Sequence, residues 1–185
     1  MKDTIPPHDK KTEVAVLASI LINEENFEIG VTANLSADCF YSLEHKEIFS
    51  CMYQIKAEGM GIDLISVCSK VSANGKIVDS DIKIAEIYGS IASTVNFESW
   101  VRILVNLSAR RKILKESYKM ITRCNNKEED IKAILDEHNG TCSEIAGVVN
   151  GTKGRTTLNI IAGTMQMFKD GIWWNKRCKV IYSSD

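Results

Sequence analysis

Small, flexible and basic residues crowd together once in the chain, as Gly151-Thr152-Lys153-Gly154-Arg155-Thr156-Thr157. A glycine-rich turn that enters a helix can present backbone N–H groups to a phosphate. The spacing of a phosphate-binding loop, G-x-x-x-x-G-K-[ST], is not met. Its first glycine would fall on Val149, Arg155 stands in the lysine position, and no strand pattern precedes the turn. A forked guanidinium does not replace a compact ammonium between phosphates. A degenerate nucleotide-binding protein is therefore the weakest of the functional readings.

The other chemically capable groups are scattered. The three histidines, His8, His45 and His138, are far apart in sequence, and His45 shares a helix face with Ile48, Phe49, Met52 and Tyr53. That pattern predicts a hydrogen-bonded core or rim histidine. Six cysteines (39, 51, 68, 124, 142 and 178) include no C-x-x-C pair and read as small buried hydrophobes in a reducing compartment. Trp173 and Trp174 beside Lys176 and Arg177 would suit base stacking with phosphate contact, but adjacent tryptophans after a helix are more often packing anchors. No catalytic residue, cofactor site or metal site is expected in this chain.

The bulk properties frame these groups. At 185 residues, with 44% apolar and 25% charged content, the chain fits one soluble domain with an appendage. A net charge of −1 gives no chain-wide attraction to polyphosphates, so single-stranded DNA is at most a weak partner. The start, MKDTIPPHDKK, lacks the apolar core of a secretory signal, and no run approaches membrane-spanning length. A cytoplasmic protein without membrane contact is expected.

The elements that would position any site are helical throughout, because both prolines precede position 8 and apolar residues recur at helical spacing. Val14, Leu17, Ala18 and Leu21 stripe a first helix; a second lies around residues 27–35; Ser36 is a cap for a short turn carrying Phe40. Ser42 is expected to cap the next helix, which Gly59 stops. Asp63 caps a helix ended by Asn74-Gly75, and Asp79 or Ser80 opens one carrying Ile82, Ala85, Ile87 and Ile91. Residues 97–124 contain no Gly or Pro and predict one long helix, answered by a second over about 128–146 to make an antiparallel hairpin. Gly140 should kink or shorten that second arm. The division expected is a globular head (1–93), a hairpin (94–147) and a flexible linker with an amphipathic helix (148–185).

Five pieces occur in a telling order: Pro-Pro-His-Asp at 6–9, the block VAVLASILI, Cys39-Phe40-Tyr41, HKEIF and GIDLISV. The series resembles the N-terminal domain of DnaB-type replicative DNA helicases, where it reads as PPHD, an Ala/Val/Leu-rich helix, a D/C-F-Y element, an H-x-x-I-F helix and a P-I-D-L turn. The run NLSARRKILKE resembles the family's long hairpin helix, and residues 158–169 lie where its linker helix would be.

The resemblance implies a hexameric, ATP-driven helicase whose N-terminal domains pair through their hairpins and receive primase. ATP and Mg would belong to a separate ATPase domain, so this chain would do no chemistry alone. The implied partners are a second copy, primase, a helicase loader and a neighbouring ATPase domain. Trp100, Leu104, Leu107, Arg111, Leu114 and Tyr118 are the candidate oligomer interface. Leu158, Ile161, Ala162, Met165 and Phe168 are the candidate docking face of the linker helix. The alternative reading is a free-standing collar mimic from a phage or mobile element that regulates a host helicase.

Overall fold

The structure, a computed structural model, describes residues 5–149. The linker-helix residues Leu158, Ile161, Ala162, Met165 and Phe168, the 151–157 turn and Trp173-Trp174 lie outside that range.

Helix α1 (Lys10–Ile22) is the centre of the head. Asp9 stands before it in extended backbone and accepts from the N–H groups of Lys11 and Thr12 and from the Thr12 hydroxyl at 2.7 Å. Those bonds satisfy free donors at the helix start and hold the Asp9 carboxyl below its ordinary range. The expected stripe is too narrow a description, since nine of the thirteen residues are buried and only Val14 is half-exposed within 12–21. Such a helix is surrounded rather than amphipathic, with α3, α5, α6 and α2 all packing against it.

Helix α2 (Glu25–Thr32) follows after two residues and presses Phe27 and Gly30 inward. A single 3-10 turn (Ala37–Cys39) then leads through Phe40 to helix α3 (Leu43–Ala57), whose Ile48, Phe49, Met52 and Ile55 are fully buried. Phe40 packs on Phe49, and Phe27 on Phe49, at ring separations of 5.2 and 5.7 Å. Tyr53, expected on the buried face, is half-exposed, with its ring beside Phe27. Helix α3 stops before Gly59, whose φ of +76° suits glycine.

Helix α4 (Leu64–Asn74) has the expected ends. The Asp63 carboxylate accepts from the Ser66 N–H at 2.8 Å while Ser66 Oγ receives the Asp63 N–H, and Gly75 closes it at φ +65°. Helix α5 (Ser80–Tyr88) differs from expectation: it buries Ser80, Ile84 and Ile87, while Ile82 and Ala85 face outward. Its inward register passes through 80, 84, 87 and the half-buried Ile91, a better helical stripe than one through 82 and 85.

Helix α6 (Phe97–Cys124) spans the full glycine- and proline-free run. Its first half buries Phe97, Val101, Leu104 and Val105 in the same core as α1 and α3; beyond Ala109 no α6 residue is buried. Helix α7 (Ile131–Val149) folds back along it after a loop of six residues.

Gly140 does not break α7, which continues unbroken to Val149. The helix is not cut short there because neighbouring turns carry it, and Val148 is anchored where its carbonyl accepts from the Asn34 amide at 3.2 Å. Val148 and Val149 are thus helical rather than part of a linker. A Cβ at Gly140 would meet nothing within 4 Å. Gly140→Ala should therefore stabilise the chain by about 1 kcal/mol in urea unfolding; a loss of stability would show that glycine is required at this position.

Candidate protein-interaction site

Two internal clamps set the geometry of the head, and neither was expected. The first is Glu13, a wholly buried carboxylate in the apolar α1. It accepts from the Tyr41 N–H at 2.6 Å, the Ser42 N–H at 3.2 Å and His45 Nδ1 at 2.7 Å. Burial pushes its carboxyl up, but those three donors together outweigh burial and hold it below its ordinary value. The Ser42 side chain, expected to cap α3, makes no capping bond; Glu13 instead receives the N–H groups of Tyr41 and Ser42 just before the helix. A carboxylate at a helix N-terminus is electrostatically favoured. His45 is the hydrogen-bonded core histidine that its position predicts.

The second clamp is Arg111 on α6. Its guanidinium donates to the carbonyls of Pro7 at 3.0 Å, Asp38 at 3.0 Å and Cys39 at 2.9 Å. One planar fork thus ties the N-terminal strap and the 3-10 turn to the long helix. His8 completes the strap by stacking on Tyr41, ring centres 4.3 Å apart and 19° from parallel.

The hairpin is closed at its far end by ion pairs, Lys119 and Arg123 with Glu137, and Arg123 with Glu129. Glu116, Lys119, Met120 and Arg123 of α6 face Ile134, Glu137 and His138 of α7. At ~100° per residue, the side of α6 turned away from α7 carries Trp100, Leu107, Leu114, Tyr118 and Ile121. Four of these recur every seven residues and span ~32 Å. Trp100 and Leu107 are half-buried against the head, whereas Leu114, Tyr118 and Ile121 are 43%, 49% and 48% exposed.

The six residues expected at an oligomer interface therefore occupy three environments. Leu104 is fully buried in its own chain's core, and Arg111 is committed to three backbone carbonyls. Both point inward because the first half of α6 is a core helix of the head. Trp100 and Leu107 straddle the edge; Leu114 and Tyr118 are open. Ile121 belongs with the open pair, and its helical spacing from Leu114 and Tyr118 could have placed it there.

The fold and this surface define a class: an all-α head carrying a long helical hairpin with an apolar outer stripe. The chain belongs to the DnaB-like helicase N-terminal domain family, whose model matches residues 5–106. It is 24% identical to the replicative DNA helicase DnaB of Haemophilus influenzae, over 88% of this chain and 36% of that protein. The Treponema pallidum and Pasteurella multocida replicative helicases are 28% and 29% identical over 62% and 72% of this chain, and 26% and 29% of their own lengths. The chain thus spans only about a quarter to a third of these relatives. The crystal structure of the N-terminal domain of DnaB helicase from Mycobacterium tuberculosis has the same fold, with a TM-score of 0.67 at 14% identity, covering 74% of this chain and 97% of that one. What is matched is the N-terminal domain of the helicase. Among the described residues, no helix is long and apolar enough to cross a membrane.

Proposed function

We propose that this chain is the oligomerisation and primase-receiving domain of a replicative DNA helicase. In that reading the whole protein unwinds duplex DNA with ATP and Mg as a hexameric ring, and this domain supplies none of the chemistry. The observation that carries it is the outward stripe of α6, where Leu114, Tyr118 and Ile121 stand open on a helix whose first half is deep in the head. Exposed apolar area on a rigid helix is stabilised by pairing, at about 25 cal/mol per Å² removed from water. A second copy offers the same stripe, so a two-fold contact doubles every gain. Family membership supports the same reading. Primase, a loader and a neighbouring ATPase domain are the further partners, and residues 158–169 are the segment proposed to meet the last of these.

Light scattering at micromolar concentration should find dimers or multiples of them. Leu114→Glu with Tyr118→Glu should give a folded monomer, because burying unpaired charge weakens a contact by about 3 kcal/mol, on the order of 100-fold. Leu107 is left intact because it also packs on the head. A wild-type chain that stays monomeric, or a double variant that stays fully paired, defeats the oligomerisation reading. Titration with primase from the same source tests the other half, and no binding by the paired chain rejects it.

A further inference from the structure

His45 is held by one ring nitrogen and not by the other. Glu13 fixes Nδ1 at 2.7 Å, whereas Nε2 makes no hydrogen bond among the described residues. The residue is only 9% exposed, and it lines a cavity of about 380 Å³ between α1, α3 and α5. That volume is within the range of small-ligand sites. With Nδ1 turned inward to Glu13, Nε2 on the far side of the ring is the nitrogen left to the cavity.

The Glu13 contact also sets the chemistry of Nε2. The Glu13 carboxyl is held below its ordinary value, so it accepts, and the proton of the contact sits on Nδ1. In the neutral ring Nε2 then carries a lone pair, on a side chain whose orientation a buried partner fixes. No group of three or more His, Cys, Asp or Glu side chains among the described residues could hold a metal ion, so a hydrogen-bond donor is the match for that lone pair.

The walls narrow the choice of donor. Val14, Ile48 and Ile87 supply an apolar lining, one residue from each helix. At the rim Glu44 accepts from Lys83 at 2.6 Å, while the Glu86 carboxylate makes no hydrogen bond or ion pair among the described residues. With Glu13 beneath the ring and Lys10 near Glu44, three carboxylates stand against two ammonium groups, so the site favours a cation.

We propose that this cavity takes the side chain of a lysine presented by a partner protein. Its ammonium carries three donors, enough for both His45 Nε2 and the Glu86 carboxylate, and its methylenes lie on Val14, Ile48 and Ile87. A free polyamine fits less well, because its second ammonium would meet Lys83. None of the lining residues belongs to α6 or α7, so the site is compatible with pairing through the α6 stripe, and the failure of either leaves the other standing.

The test titrates the full chain, isotope-labelled for NMR, at constant ionic strength with n-butylammonium, which reproduces the end of a lysine side chain. Saturable shifts are expected at His45 Nε2 and at the methyl groups of Val14, Ile48 and Ile87, with a Kd on the order of 10 mM, the scale that five non-hydrogen atoms can supply. Butyrate and n-butanol should bind at least tenfold more weakly, and spermidine no more tightly than n-butylammonium. Glu86→Gln should weaken binding at least threefold with an unchanged melting temperature. Lys83→Gln should tighten it, since it frees Glu44 and removes a like charge. His45→Gln keeps an amide N–H for Glu13 but loses the ring nitrogen, and should abolish the response; if it does not fold, the two charge variants still decide. No saturable shift at ten times the expected Kd, butyrate binding as tightly as the amine, or an affinity unaltered in both charge variants overturns the site. Spermidine binding tenfold more tightly than n-butylammonium overturns its assignment to lysine.

Discussion

Glu13→Ala should be among the most damaging single substitutions in the chain. It removes the acceptor for two backbone N–H groups and for His45 Nδ1, in a pocket where Glu13 is wholly buried and His45 is 9% exposed. Removing a buried carboxylate on which several donors converge costs about 3–5 kcal/mol, because the donors left behind stay desolvated and unpaired. For a chain of this size the melting temperature should fall by roughly 6–20 °C. The pH dependence has a definite sign. The folded carboxyl is held below its ordinary value of 4.5, so its contribution is fully present above that value and is lost as pH falls through the lower, folded value. The stability gap between wild type and Glu13→Ala should therefore be constant at neutral pH and shrink in acid. A gap below about 1 kcal/mol at neutral pH would mean that the carboxylate is solvated rather than holding the turn.

Local signals carried much of the fold. The ends of α6 follow from a run free of Gly and Pro, and the ends of α4 from Asp63 and Gly75, where backbone chemistry is decided by a few neighbouring residues. The face of α5 was not legible in the same way. Ile82 is as apolar as Ile84, and which one turns inward depends on where α4 and α1 lie. Gly140 misled for a related reason: its intrinsic penalty is real, but it is small beside the packing of the nineteen-residue helix around it.

The candidate site was legible as a helix and not as a surface. Periodicity gathers Trp100, Leu104, Leu107, Leu114 and Tyr118 into one helical pattern, yet the head takes Leu104 for its own core and leaves Leu114 and Tyr118 outside. One chain read alone has no way to register where the head ends along α6. Glu13 was hidden more thoroughly, since its partners are 28 to 32 residues away and a carboxylate within an apolar block gives no local sign of a partner. Among residues of the family-like motifs, Asp9, His8, Tyr41 and His45 are explained by these contacts: a cap, a stacked pair and the Glu13 bond. The motif order that identifies the family is thus largely the record of how the strap, the 3-10 turn and α3 are tied together.

Arg111 gives the sharpest separation between the sequence reading and the structural one. On the outside of α6 it would be an interface residue; as observed, it spends its donors on the carbonyls of Pro7, Asp38 and Cys39. Hydrogen bonds from a charged donor contribute about 1.5–3 kcal/mol each when buried, and less at this partly open site, so Arg111→Ala should destabilise the chain by about 2–4 kcal/mol. Amide exchange should speed up over residues 5–13 and in the 3-10 turn, because both lose their tie to α6. Arg111→Lys should recover little of this, since an ammonium keeps the charge but cannot span three carbonyls set around a planar fork. Pairing of the folded chain should be nearly unchanged in Arg111→Lys, in contrast to Leu114→Glu with Tyr118→Glu. The opposite pattern, normal stability and exchange with lost pairing, would return Arg111 to the interface and show that its three carbonyl contacts are incidental.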